Sequence, residues 1–325
     1  MHVRRRRCPS ITSLRLSGAG PRRYRQAMSE LLPPHVLSAL GGLDFIARRV
    51  VSGTFGGIHR ATLLGAGREF DRHRAYQQGD ESRHVDWRLF ARTDRLFVRQ
   101  FREESNLQAF VLVDDSMSMA YADGAGLTKF RYAQMLGAAL AYLMLRRGDA
   151  VGLARTSGGG ELLMRPRHRR GYLHDLLLAF ERLRPTGRDG LADAVEHVSA
   201  ALPRRGRLVL LSDLLAPDAA GAAVAALGRL RARGDDVLVM RPLTPEEEGR
   251  APLPPGRYFD PDDTAAEVVA APADDAGFRG RVSAYFAGLG SDLMARGVEY
   301  LPLGTDTPLE RALAEWLTHR SAGAA

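Results

Sequence analysis

From Leu107 onward the chain alternates short apolar runs with longer helical ones, and that rhythm leaves few folds open. LQAFVLV (107–113), AVGLART (150–156), ELLMRPR (161–167), RLVLLS (207–212), DVLVMRP (236–242) and VEYLPL (298–303) read as strands. Helical periodicity occupies 129–147, 171–183, 189–202, about 218–233, about 275–296 and 307–320, with a turn at Gly158-Gly159-Gly160 and a Pro-rich loop from Pro242 to Pro261. A strand that is apolar throughout must be covered on both faces, and helices between such strands supply the cover while returning the chain for parallel pairing. The expected fold class is α/β, a Rossmann-like, mostly parallel sheet with helices on both faces.

Upstream the rhythm breaks. Residues 48–106 are rich in Arg, His, Gly and Asp and carry only short β-like pieces such as LFVRQF (96–101), close enough to 107–113 to pair with it as a hairpin. Leu32, Val36, Leu40, Leu43 and Ile46 follow Pro33-Pro34 or precede it at roughly helical spacing. Three segments are therefore expected: an Arg-rich tail over 1–27, a β-rich or irregular appendage over 28–106 packed on the main domain, and the α/β domain over 107–325.

Charge separates the tail from the rest. The 325 residues carry a formal net charge of +8, which taken alone points to nucleic acid or an anionic membrane. Residues 1–27 contain eight Arg and no acid, leaving 38 bases against 38 acids in 28–325. This tail has no sustained apolar period and reads as disordered, and Met28 is an alternative start. Cys8 is the single cysteine, so an intrachain disulfide and a cysteine zinc site are excluded. Apolar runs stop short of the roughly 18 residues that span a bilayer, and the tail lacks the apolar stretch of a secretory signal; the reading is cytoplasmic. Among 46 basic residues only Lys129 is a lysine, and it follows Leu127-Thr128, so there is no phosphate-binding Gly-Lys-Ser/Thr loop. Gly65-Ala66-Gly67 runs on to Phe70 without a third glycine, and no Gly-x-Ser-x-Gly occurs.

In a parallel α/β sheet ligands bind beyond the carboxyl ends of the strands. The loop after 107–113 is Asp114-Asp115-Ser116-Met117-Ser118, an Asp-x-Ser-x-Ser arrangement, and the loop after 207–212 begins with Asp213. Asp114, Ser116, Ser118 and Asp213 make an all-oxygen donor set suited to Mg²⁺ or Mn²⁺. Hydroxyls in place of further carboxylates leave such an ion able to accept an acidic group from a partner. The bland alternative is that Asp and Ser after a strand cap helices and form turns.

Asp114-x-Ser116-x-Ser118 after an apolar strand resembles the metal-ion-dependent adhesion site of von Willebrand factor type A domains. Gly67, Glu69-Phe70, Arg74-x-Tyr76, Gly79-Asp80, Arg83, Asp86-Trp87, Ala91-Arg92 and Leu96 stand where the bacterial domain of unknown function 58 family, which is von Willebrand factor A-like, has its signature. The resemblance covers roughly residues 35–320. It implies a second loop with a Thr ligand, and the matching stretch, Pro185-Thr186-Gly187-Arg188-Asp189, has Asp at the expected position. Either Asp189 ligates and makes the site more anionic, or Thr186 takes the role, or the site is degenerate, or Asp189 only caps the following helix. Glu69, Arg74, Asp80, Arg83, Asp86 and Arg92 suggest structural ion pairs holding the appendage to the sheet domain, with Trp87 a core anchor. His73 and His84 lack metal-ligand spacing.

The function expected is a non-enzymatic, metal-dependent protein-interaction module. The resemblance implies a MoxR-type AAA+ ATPase as partner, with the chain as adaptor or assembly factor. Nucleic-acid or anionic-surface binding through the tail, aided by Arg165, Arg167, Arg169 and Arg170, is a second reading. A Mg²⁺-dependent phosphoester hydrolase ranks last, because no general base or second metal site stands near the loop.

Overall fold

The computed structural model describes residues 42–57, 69–77, 80, 85–102, 107–169, 171–186, 190–215, 217–252, 256–259, 267–270 and 276–323. All fall in one compact unit, Leu32–Ala325. The Arg-rich tail, and with it Met28, lies outside the described residues, as do Gly67, Gly79, Arg83, His84 and Asp189.

In chain order the elements are α1 (Leu43–Gly57), β1 (Glu69–Ala75), α2 (Trp87–Thr93), β2 (Phe97–Arg102), β3 (Gln108–Val113), α3 (Lys129–Arg146), β4 (Ala150–Arg155), β5 (Leu162–Arg167), α4 (Tyr172–Arg182), α5 (Leu191–Ala201), β6 (Arg207–Leu211), α6 (Pro217–Ala232), β7 (Asp236–Leu243), β8 (Gly256–Phe259), β9 (Glu267–Ala270), α7 (Ala276–Ala295), β10 (Glu299–Gly304) and α8 (Leu309–Gly323). Six strands form the main sheet in the order β10-β7-β6-β3-β4-β5, all neighbours parallel except β4 and β5. The expected mostly parallel α/β sheet is therefore observed.

Successive side chains of a strand point to opposite faces, and the two cores divide accordingly. Ala109, Val111 and Val113 of β3 pack with Val209 and Leu211 of β6 beneath α1, α3, α4 and α8. Phe110 and Leu112 pack with Leu208 and Leu210 on the other face, beneath α5, α6 and α7. Fourteen residues of α3 are buried, Lys129 among them. Leu43, Ile46, Ala47, Val50 and Val51 of α1 belong to the first core, so this helix from the upstream segment completes a layer of the α/β domain. Gly152 sits opposite Phe110 in the β3/β4 register. A Cβ there would lie 2.6 Å from the Phe110 ring and 2.7 Å from the Met164 carbonyl oxygen, so only glycine lets β4 pass between them.

Two expectations about strands are corrected. The 96–101 piece does not pair with β3. β2 pairs antiparallel with β1, with Arg74 opposite Val98 and Phe70 opposite Phe101. The reason is topological: β3 is a central strand, and β4 and β6 occupy both of its edges. The Pro-rich stretch also holds a strand that was not expected, since Gly256–Phe259 forms β8, paired with β9. Among the described residues no helix is long and apolar enough to cross a membrane.

Candidate metal centre

The strand order reverses direction at β3: the chain proceeds to β4 and β5 on one side, then returns to β6, β7 and β10 on the other. At such a switch point the connections leave in opposite directions and open a crevice at the carboxyl ends of the two strands. Val113 and Leu211 are register partners at those ends. The next residues, Asp114 and Ser212-Asp213, are therefore held side by side, and the Asp114 amide donates to the Leu211 carbonyl at 2.9 Å.

Within the crevice the four residues singled out from the sequence converge. Ser116 Oγ lies 3.0 Å from Ser118 Oγ, and Ser118 Oγ donates to Asp213 Oδ2 at 2.8 Å. Asp114, 2% exposed, accepts from Ser212 Oγ at 2.5 Å, from the Ser116 amide at 3.0 Å, and lies 3.2 Å from Thr156 Oγ1. Burial, and then the neighbouring Asp213 charge, push the Asp114 carboxyl up to about 6, against the pull of its Ser212 and Ser116 donors. Neighbouring oxygens around an octahedral Mg²⁺ with bonds of about 2.1 Å stand roughly 3 Å apart. The 3.0 and 2.8 Å spacings along Ser116, Ser118 and Asp213 match that edge length. The donor set fits a hard divalent cation, which would be held by Asp114, Ser116, Ser118 and Asp213. Among the described residues there is no cluster of three or more His, Cys, Asp or Glu placed to hold a metal, so hydroxyls are an indispensable part of this set.

Three residues around the crevice were not read as site residues from the sequence. Thr156 follows β4, and the pairing of Val113 with Arg155 places it directly beside Asp114; once β3 and β4 are recognised as parallel neighbours, that register alone would have found it. Asp115 is fully buried and ties three loops together. It accepts from Thr156 Oγ1 at 2.9 Å, the Ser157 amide at 2.8 Å and Ser157 Oγ at 2.5 Å, while its carbonyl accepts from the Thr186 amide at 2.9 Å. Thr186 thus stands on the Asp115 side, its hydroxyl 3.5 Å from Asp115 Oδ2. The third is Lys129. Its ammonium donates to Asp213 Oδ2 at 2.7 Å and to Glu247 Oε1 at 2.6 Å. Burial works against the charged form, but Asp213 and Glu247 outweigh it and hold the pKa above the ordinary lysine value. Glu247 is fixed in turn by the Thr244 amide at 3.0 Å and the Thr244 hydroxyl at 3.2 Å.

Over residues 72–279 the sequence matches the family described as Protein of unknown function DUF58. The chain belongs to that family. A DUF58 chain is thus similar to an uncharacterized protein of Mycobacterium tuberculosis (strain H37Rv), 30% identical over 57% of this chain and 59% of that one. It spans less than two thirds of the curated relatives it matches. Solved structures similar to it include conserved hypothetical protein BatB from Bacteroides thetaiotaomicron, at 14% identity, TM-score 0.47, covering 67% of this chain and 99% of that one. The SpRpn10 VWA domain aligns at 11% identity and TM-score 0.41, covering 64% and 94%.

The upstream residues of the DUF58 signature lie apart from the crevice chemistry. Arg74 donates to Asp80 at 2.7 Å. Asp86 caps α2, accepting from the Arg88 and Leu89 amides at 3.0 Å, and meets His73 Nε2 at 2.9 Å. These contacts are made within the β1–β2 region itself. Tyr76 and Arg92 are exposed, and of the Glu69 side chain nothing is described. The core role expected of Trp87 is corrected: it is 59% exposed. As the first residue of α2 it turns its ring edge-on to Phe90, one turn further along, with centroids 6.2 Å apart.

Proposed function

We propose that this chain is a non-enzymatic, cytoplasmic protein-interaction module that docks its partner through a divalent cation, Mg²⁺ or Mn²⁺, at the crevice between β3 and β6. The observation that carries this reading is the convergence of Asp114, Ser116, Ser118 and Asp213 from two loops onto one point at the sheet's switch point. Such an ion would supply Lewis acidity and open coordination positions, which an acidic side chain of a partner can fill. The chain's own groups supply position: Ser212 and Ser116 orient Asp114, and Ser118 bridges to Asp213. The resemblance noted from the sequence makes a MoxR-type AAA+ ATPase the proposed partner, with this chain as its adaptor or assembly factor. Asp189 is a proposed further ligand.

Calorimetric titration of the full chain with Mn²⁺ tests the site, and co-purification with the ATPase tests the partner. Saturable binding of one ion, lost together with partner capture in Asp114→Ala while the circular dichroism spectrum is unchanged, is the expected result. An Asp114→Ala protein that keeps both overturns the reading.

A further inference from the structure

The crevice already contains a cation of its own. Lys129 is the first residue of α3, fully buried, and its ammonium contacts Asp213 Oδ2, the same carboxylate oxygen that Ser118 Oγ touches. It is the chain's single lysine, every other basic position being Arg. The difference is chemical: guanidinium is a wide planar fork, whereas ammonium is a compact point charge that can stand where a small ion would stand. Thr128 fixes where the side chain starts, its hydroxyl accepting from the Arg131 amide at 3.0 Å and capping α3. Glu247, held by Thr244, fixes where the side chain ends. With Asp115 set against Arg155 at 3.7 Å, the remaining Asp114, Asp213 and Glu247 against one ammonium leave two negative charges, the amount a divalent cation neutralises.

We propose that Lys129 is the resident counter-ion of the crevice, holding the Asp114–Asp213 cluster assembled without metal and setting divalent-cation affinity by competing for Asp213. This rests on the metal reading of the site and goes beyond it. Without the ammonium, Asp213 would lose its counter-charge beside Asp114, a destabilisation that the folded protein meets by holding a proton on the pair. With it, the loops after β3 and β6 keep their arrangement whether or not an ion is bound. An incoming ion must share or take Asp213 Oδ2 and meets a positive charge there, so weak, reversible occupancy follows. Glu247 has the opposite effect, drawing the ammonium toward the Thr244 end and away from Asp213.

The test is Mn²⁺ affinity, by calorimetry on the full chain, in wild type, Glu247→Gln and the double variant Lys129→Met/Glu247→Gln. The double variant is used because Lys129→Met alone strands two carboxylates. Near-ultraviolet circular dichroism confirms folding. Glu247→Gln weakens binding, since the ammonium then rests on Asp213 alone. The double variant binds about tenfold or more tightly than Glu247→Gln, as expected for removing a unit charge a few ångströms from the ion. Adding Asp114→Ala to the double variant abolishes binding. A purely structural Lys129 would leave the double variant binding no more tightly than Glu247→Gln, and that outcome overturns the proposal while leaving the metal site standing. Failure of wild type and double variant alike to bind Mn²⁺ overturns both.

Discussion

Two regions of this molecule are dense in paired charges and behave oppositely. Between β3 and β6, Lys129 is fully buried and Asp213 nearly so, and only Glu247, at the outer end of the group, reaches water at 17% exposure. Around β1 and β2, Arg74–Asp80 and His73–Asp86 stand partly in water. A buried charge that loses its partner keeps its desolvation cost, whereas an exposed one is rehydrated and screened. The same motif-like density of Asp and Arg therefore builds a high-energy centre in one place and a locally braced surface in the other.

The largest effect expected from this contrast is in Lys129→Met, which leaves Asp213 buried without its cation. It lowers unfolding free energy by about 3–5 kcal/mol in urea titrations, and a loss below about 1 kcal/mol would erase the distinction between the two regions. Next comes pH. The folded protein holds the Asp114 proton more tightly than the unfolded chain, because burial and Asp213 push its carboxyl up to about 6. Stability from this group is complete below the ordinary carboxyl value near 4 and is lost as pH rises through about 6, a change on the order of 2–3 kcal/mol. Thermal melts of metal-free protein at pH 4.5 to 7 should show that slope in wild type and lack it in Asp114→Asn; equal slopes would contradict it.

Smaller effects belong to β1 and β2. Asp86→Ala removes the cap of α2 and costs about 1 kcal/mol, read as lost protection of the Arg88 and Leu89 amides in hydrogen exchange. Arg74→Ala comes last: burial is slight, backbone and Arg74 donors hold Asp80 below the usual carboxylate value, and water replaces them readily. Its melting midpoint should match wild type, and any difference should vanish at about 0.5 M salt. A salt-resistant drop would show this pair to be buried in solution.

Much of the central sheet was legible because its strands are apolar on both faces, and a strand of that kind announces its burial. The crevice was half legible. Asp114, Ser116 and Ser118 are close in sequence, and Asp213 follows the buried strand β6, so periodicity and the switch-point rule suffice to bring them together. Lys129 and Glu247 were not legible, since their partnership joins residues 84 and 118 positions apart through side-chain reach alone. The β1–β2 hairpin was misread for a different reason: nearness in sequence favoured pairing β2 with β3, but only knowledge of the sheet order reveals that β3 has no free edge. Trp87 misled because size predicts burial only where a core lies beneath, and α2 has no buried residues among those described.

The placement of Lys129 at the first turn of α3 has a mechanical consequence. A helix of 18 residues is a rod about 27 Å long, and this one runs through the core from the crevice to the opposite rim of the sheet. Gly126 and Gly148 flank it, both with left-handed backbone at φ 81° and 92°. With fourteen of its residues buried, the rod is gripped along its length by a close-packed core, so the position of the ammonium is set by the whole layer and not by a loop.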